Sequence, residues 1–317
     1  MLNPARYLLA GVLLLAACAT QTPAVLHSPQ GLPQQSELVD TPYFAQEDHQ
    51  CGPASLAMAL TAAGFKTSPE ALEALVYLPS RQGSLQPEML AAARRQGALA
   101  LPVKPRLNAL LNEVAHGHPV VVLQNLGLSW MPRWHYAVVI GYDLPHAVII
   151  LRSGPNSREL MQMSTFEHTW ARSGYWGMLV LPTGQLPAEA DATDVAKALV
   201  ALEKYAEPEQ MLRVYGLALE RWPEHAVLRM GLGNSAYRSG DLLQAESIFR
   251  SIIKTQPSDA AALNNLAAVL QDQHRLSEAL SIAERASEIA GPWQGHAQAT
   301  RDAIRQELRQ TGDTEIR

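Results

Sequence analysis

The chain has 317 residues, 47% of them hydrophobic and 17% charged, with 20 glycines, 21 prolines and 30 acids against 25 lysines and arginines. At about 100–200 residues per domain this is enough for two packed domains with linkers, and it is too apolar for a disordered or collagen-like chain. A net charge of -5 with no run of like charge lacks the basic footprint of a nucleic-acid binder, so nucleic acid is excluded as a partner.

The N-terminus reads as an export signal over residues 1–17. A short basic stretch ends at Arg6, and an apolar run from Tyr7 to Ala17 leads to Cys18. Such a run is too short for the roughly 20 residues a spanning helix needs, so it is a signal-peptide core. Leu15-Ala16-Ala17-Cys18 resembles the lipobox of bacterial lipoproteins. That resemblance implies cleavage before Cys18, acylation of its sulfur, and a membrane-anchored protein facing the periplasm. Ala19 follows where an inner-membrane signal would carry Asp, which points to the outer membrane. Residues 18–39, rich in Gln, Pro and Ser, read as a flexible tether. The two cysteines are therefore two separate chemistries and not a bridge, with Cys51 the free thiol of the mature chain.

Around that thiol stands Cys51-Gly52-Pro53-Ala54-Ser55-Leu56-Ala57-Met58. Pro53 suits a first helical turn, Ala54 to Ala63 is strongly helix-forming, and Gly64 supplies the stop. Cys51 is thus expected at a helix N-terminus, where unpaired N–H groups and the macrodipole favour a thiolate. Gln46, five residues upstream, could donate to an oxyanion beside the Cys51 N–H. Three strands are then expected, at His118–Leu123, Trp134–Asp143 and Ala147–Arg152, the last two joined by a turn that Asp143 closes. His135 stands at the entry of the second strand, 84 residues after Cys51, where a rigid element would aim it. Taken singly, each residue has a plainer reading: Cys51 as a small apolar core residue, His135 as a strand histidine satisfied by backbone.

Taken together, Gln46, the Cys51–Met58 block, Gly117-His118-Pro119-Val120-Val121-Val122 and His135-Tyr136-Ala137-Val138-Val139-Ile140-Gly141-Tyr142-Asp143 resemble the papain-like bacteriocin-leader-processing cysteine peptidases, family thirty-nine of the cysteine peptidases. The resemblance covers residues 40–183. It implies an α+β papain-like cysteine peptidase domain acting on a peptide or protein substrate, with Cys51 as nucleophile, His135 as general acid/base and Gln46 as oxyanion donor. It calls for no cofactor and no metal. One member of the pattern is absent: where the family carries an Asp on the next strand to orient the imidazole, this chain has Ile150-Leu151-Arg152-Ser153-Gly154-Pro155-Asn156. Ser153 falls nearest that position, and Asn156 is the side chain nearby that resembles the Asn of papain. Family members that cleave double-glycine leaders are usually fused to an export ATPase; this chain has no phosphate-binding glycine loop, so leader specificity does not carry over.

Beyond Pro182–Pro187 the strand signals stop. The remainder repeats with a period of 34, so that Gly233 matches Ala267 and Ala245 matches Ala279. This resembles tetratricopeptide helical hairpins, which give an all-α repeat domain over 193–290 with Thr193–Trp222 as a degenerate capping unit and 291–317 as a polar helix and tail. Small residues at these sites let paired helices approach, and the concave face of such an array commonly holds a protein partner. The expected protein is a lipid-anchored periplasmic cysteine peptidase with a protein-binding repeat module. The alternative is a non-catalytic papain-like adaptor that binds peptides or proteins.

Overall fold

The computed structural model describes residues 21–45 and 50–315, so Cys18 and Gln46 both lie outside the described residues. It divides into two units, one running to Pro182 and taking in Leu186–Asp194, the other comprising Thr183–Gln185 and the chain from Val195. The first is α+β and the second all-α, the division that the loss of strand signals after Pro182 anticipates.

In the first unit the helix expected at the thiol is α2, Cys51–Ala62, preceded by α1 at Gln21–His27 and strand β1 at Gln35–Glu37. Helices α3 (Pro69–Val76) and α4 (Gln86–Arg95) flank a small hairpin of β2 (Tyr77–Leu78) and β3 (Gly83–Ser84). Strand β4 (Leu99–Pro102), helix α5 (Leu107–Ala115), β5 (Val120–Asn125), β6 (Trp134–Asp143), β7 (Val148–Ser153), β8 (Asn156–Gln162), α6 (Met163–Ala171) and β9 (Gly177–Leu181) complete it. The sheet runs β4-β9-β5-β6-β7-β8 with β1 added to β6, and its pairs are antiparallel.

Strand β5 is buried at every position and β6 from Tyr136 to Tyr142, so both faces of the central sheet are covered. On one face Tyr136, Val138 and Ile140 pack with Leu56, Met58 and Leu60 of α2, Leu72 of α3 and Met89 of α4. Helices α5 and α6 pack against β5 and its neighbours with fully buried Leu110, Leu111, Phe166 and Trp170. Gly52 to Leu60 are all buried, so α2 passes through the core and needs no polar face. Asp143 closes the β6–β7 turn as expected, accepting the His146 N–H at 3.0 Å.

The tether reading fails over residues 21–37, and the domain begins before residue 40. Glu167, fully buried on α6, accepts the N–H groups of Gln21 and Thr22 at 2.9 and 2.7 Å and the Thr22 hydroxyl at 2.6 Å. Strand β1 pairs Gln35, Ser36 and Glu37 with Asp143, Tyr142 and Gly141. Composition marks this stretch as coil, but a buried carboxylate and an open strand edge supply partners that local sequence does not reveal. Glu113 does the same at the other end, holding the Ala188 and Glu189 N–H groups at 3.1 and 2.9 Å.

In the second unit helices α7 (Ala192–Leu202), α9 (Ala226–Arg238), α11 (Ala260–Asp272) and α13 (Gln294–Glu315) start 34 residues apart, as do α8 (Pro208–Arg221), α10 (Leu242–Thr255) and α12 (Leu276–Glu288). The period read from the sequence is thus the period of the helices. It extends past residue 290, because α13 takes up the register of a further first helix. A Cβ added at Gly231 or Gly233 would fall 2.2 Å from the Tyr215 ring or 2.6 Å from the Phe249 ring, and Gly233 has a small counterpart 34 residues on in Ala267.

Candidate active site

Cys51 opens α2, whose start has no side-chain cap. The backbone N–H groups of Tyr136 on β6, of Gly52 and of Cys51 itself lie near its sulfur. These donors favour the thiolate, but burial outweighs them and pushes the thiol pKa up. In the free protein desolvation of the charge thus works against the thiolate that the helix start favours.

His135 enters β6 beside Gln124 of β5. Its Nε2 lies 3.0 Å from the hydroxyl of Ser153, which is 7% exposed at the end of β7. The β7–β8 register shifts between Leu151 and Ser153, a local irregularity of the kind that re-aims a side chain. Asn156 is exposed at the start of β8, and it is Ser153 that meets the imidazole. Burial pushes the His135 pKa down; Glu159 acts in the opposite sense and Arg133 reinforces the fall.

Cys51 and His135 line one cavity of about 890 Å³. Its walls include Ser84, Leu85, Trp134 and Tyr136, with Arg81, Arg133 and Arg172 around them. The Tyr136 hydroxyl donates to the Ser84 carbonyl at 3.1 Å, and its ring meets Trp176 edge-on at 5.8 Å. This fixes the β3 strand, and with it one wall, to the strand that carries His135. Sequence reasoning missed Tyr136 as a contact of the thiol. Its place directly after His135, on a strand facing the cysteine helix, is the signal that would have found it. The three arginines come from separate segments and no local motif joins them. Among the described residues no group of three or more His, Cys, Asp or Glu side chains could hold a metal ion, and no helix is long and apolar enough to cross a membrane.

Residues 38–178 match the Peptidase_C39 like family. This stretch is a C39-like peptidase domain with a papain-like α+β fold. No curated protein matches the chain. Among solved structures, a protein described as a C39-like peptidase of Bacillus anthracis is 18% identical, covering 47% of this chain and 98% of that one with a TM-score of 0.41. The peptidase domain of Streptococcus ComA, described as a bifunctional ABC transporter of a quorum-sensing pathway, is 21% identical, covering 45% and 98% with a TM-score of 0.36. A double glycine motif protease from an AMS/PCAT transporter, solved with its leader peptide, is also 21% identical, covering 45% and 93% with a TM-score of 0.35.

Proposed function

We propose that this protein is a thiol peptidase, anchored in the cell envelope through an acylated Cys18 and facing the periplasm, whose repeat unit holds a protein partner or substrate on its concave face. What carries the peptidase reading is the meeting of a free thiol at a helix start and a strand-borne imidazole in one cavity, the imidazole held on its far nitrogen by a buried hydroxyl.

The raised thiol and the lowered imidazole leave both groups neutral near pH 7. His135 then acts as a general base during attack and not as half of a standing ion pair. With Nε2–H donating to Ser153 Oγ, the Nδ1 lone pair is open to the thiol proton. As that proton moves from Sγ to Nδ1, the S–C bond forms and the carbonyl electron pair moves to oxygen. The Cys51 N–H and the Gln46 amide hold this oxyanion. Collapse restores the carbonyl and breaks the C–N bond, the departing amine taking the proton from Nδ1. Water, deprotonated by His135, attacks the thioester and releases the acid and the free thiol.

The adaptor reading is favoured by one observation, that the His135 Nε2 meets the neutral hydroxyl of Ser153 and not a carboxylate. Cleavage of a peptide library by wild type, Cys51→Ala and His135→Ala decides between them. A peptidase loses turnover in both variants, whereas an adaptor cleaves nothing in any form and labels equally with a thiol probe whether or not His135 is present. Membrane fractionation of Cys18→Ser tests the anchor: release into the soluble fraction is expected, and unchanged retention would overturn it.

A further inference from the structure

The described residues lining the cavity include three arginines and no aspartate or glutamate, in a chain whose net charge is -5. Arg81 and Arg133 are exposed at its rim, and neither forms an ion pair among the described residues. Arg172 donates to the carbonyl oxygens of Asn125 and Gly127 at 3.3 and 2.6 Å, neutral acceptors that leave its charge uncancelled. Beside these cations the rim exposes apolar surface: Trp134 is 52% exposed and Leu85 is 40% exposed, both lining the cavity. The charged side chains among the described lining residues are all cationic, a surface that attracts anions, and guanidinium groups pair bidentately with carboxylates.

Building on the peptidase reading, we propose that the cavity selects acidic peptides, in which carboxylate side chains of the substrate pair with Arg81 and Arg133 while a neighbouring apolar side chain lies on Trp134 and Leu85. The arrangement has a chemical consequence at His135. Ser153 brings no negative charge to the imidazole; burial opposes its protonation, Glu159 favours it and Arg133 opposes it. A substrate carboxylate on Arg133 cancels that opposition at the step where the imidazolium forms.

The test uses the full-length protein and three peptides of one apolar sequence, with Glu, Gln or Lys at the charged positions. Binding of fluorescent peptides to Cys51→Ala is measured by anisotropy, and cleavage by wild type is measured in parallel. Binding of the Glu peptide at least about tenfold tighter than that of the Lys peptide is expected. The preference should shrink as salt is raised towards the regime where screening acts within about 10 Å. Arg81→Glu should weaken it several-fold and the double variant Arg81→Glu, Arg133→Glu should abolish it, with Arg81→Gln, Arg133→Gln giving the same loss if charge reversal disturbs folding. Equal affinity for the three peptides, or a preference unchanged in a folded double variant, overturns the inference. Charge-selective binding without cleavage by wild type would overturn the peptidase reading and leave the acidic-peptide site standing.

Discussion

The Nε2 of His135 and the hydroxyl of Ser153 are 3.0 Å apart, and this contact occupies the place where a carboxylate would orient the imidazole. The two groups are not equivalent. A carboxylate accepts only, so it fixes Nε2–H and stabilises the imidazolium, whereas a hydroxyl donates or accepts and selects neither tautomer.

Ser153→Asp is therefore expected to raise the His135 pKa and to speed alkylation of Cys51 at neutral pH by roughly tenfold, the effect of about one pKa unit. The measurement is the second-order rate with iodoacetamide, alongside circular dichroism. A folded variant that alkylates no faster would show that charge at this position does not control the thiol.

The pH dependence of wild type follows from the two shifts. Burial lifts the Cys51 thiol above its usual value, so the thiolate fraction keeps growing past about pH 9. Burial lowers His135, so the imidazole loses its charge below about pH 6.5. Alkylation should climb steadily through the neutral range, with no plateau between pH 6 and 8. A neutral plateau would mean a standing thiolate–imidazolium pair and would contradict the desolvation argument.

Gly52 follows the nucleophile directly, and a Cβ there would fall 2.2 Å from Ser84 Oγ and 2.6 Å from Ser84 Cβ. Gly52→Ala must push the β2–β3 hairpin from α2 or rotate Cys51, at a cost of about 1–3 kcal/mol from overpacking. A fall in thermal midpoint together with slower thiol labelling is expected. Restoration of labelling by the double variant Gly52→Ala, Ser84→Gly would identify the Ser84 contact as the cause, and no restoration would discard it.

The parts of this architecture that local sequence reveals are those whose partners are near in the chain. Pro53, the alanine-rich run and Gly64 announce α2, and the Val-rich runs announce β5 and β6 with His135 at a strand entry. The 34-residue period is legible because each helix of the repeat packs mainly on its chain neighbours. Strand β1 was illegible from Gln35-Ser36-Glu37, yet its partner held a clue. A Cβ at Gly141 would lie 2.6 Å from the Ser36 carbonyl oxygen, and glycine within a strand marks close backbone approach. The cationic lining was not legible at all, since Arg81, Arg133 and Arg172 converge only after the sheet has formed.

In the repeat unit, Glu246 on α10 makes ion pairs with Arg250 on its own helix at 2.8 Å and with Arg275 before α12 at 2.7 Å, and Glu278 closes the set by pairing with both arginines. Burial alone would raise the Glu246 pKa, but hydrogen bonds from Arg250, Arg275 and Gln273 bring it down to about 2. Because the folded value lies below the usual carboxylate range, the stabilisation is present in full above about pH 4.3 and is lost as pH falls towards 2. Glu246→Gln should therefore destabilise α10 and α12 by about 1 kcal/mol at neutral pH, the scale of a surface ion-pair network. The difference from wild type should close as the pH is lowered from about 4 to 2. Hydrogen exchange of the α10 and α12 amides in the full-length protein reads this directly. A Glu246→Gln effect that persists undiminished at pH 2 would assign it to packing instead of charge.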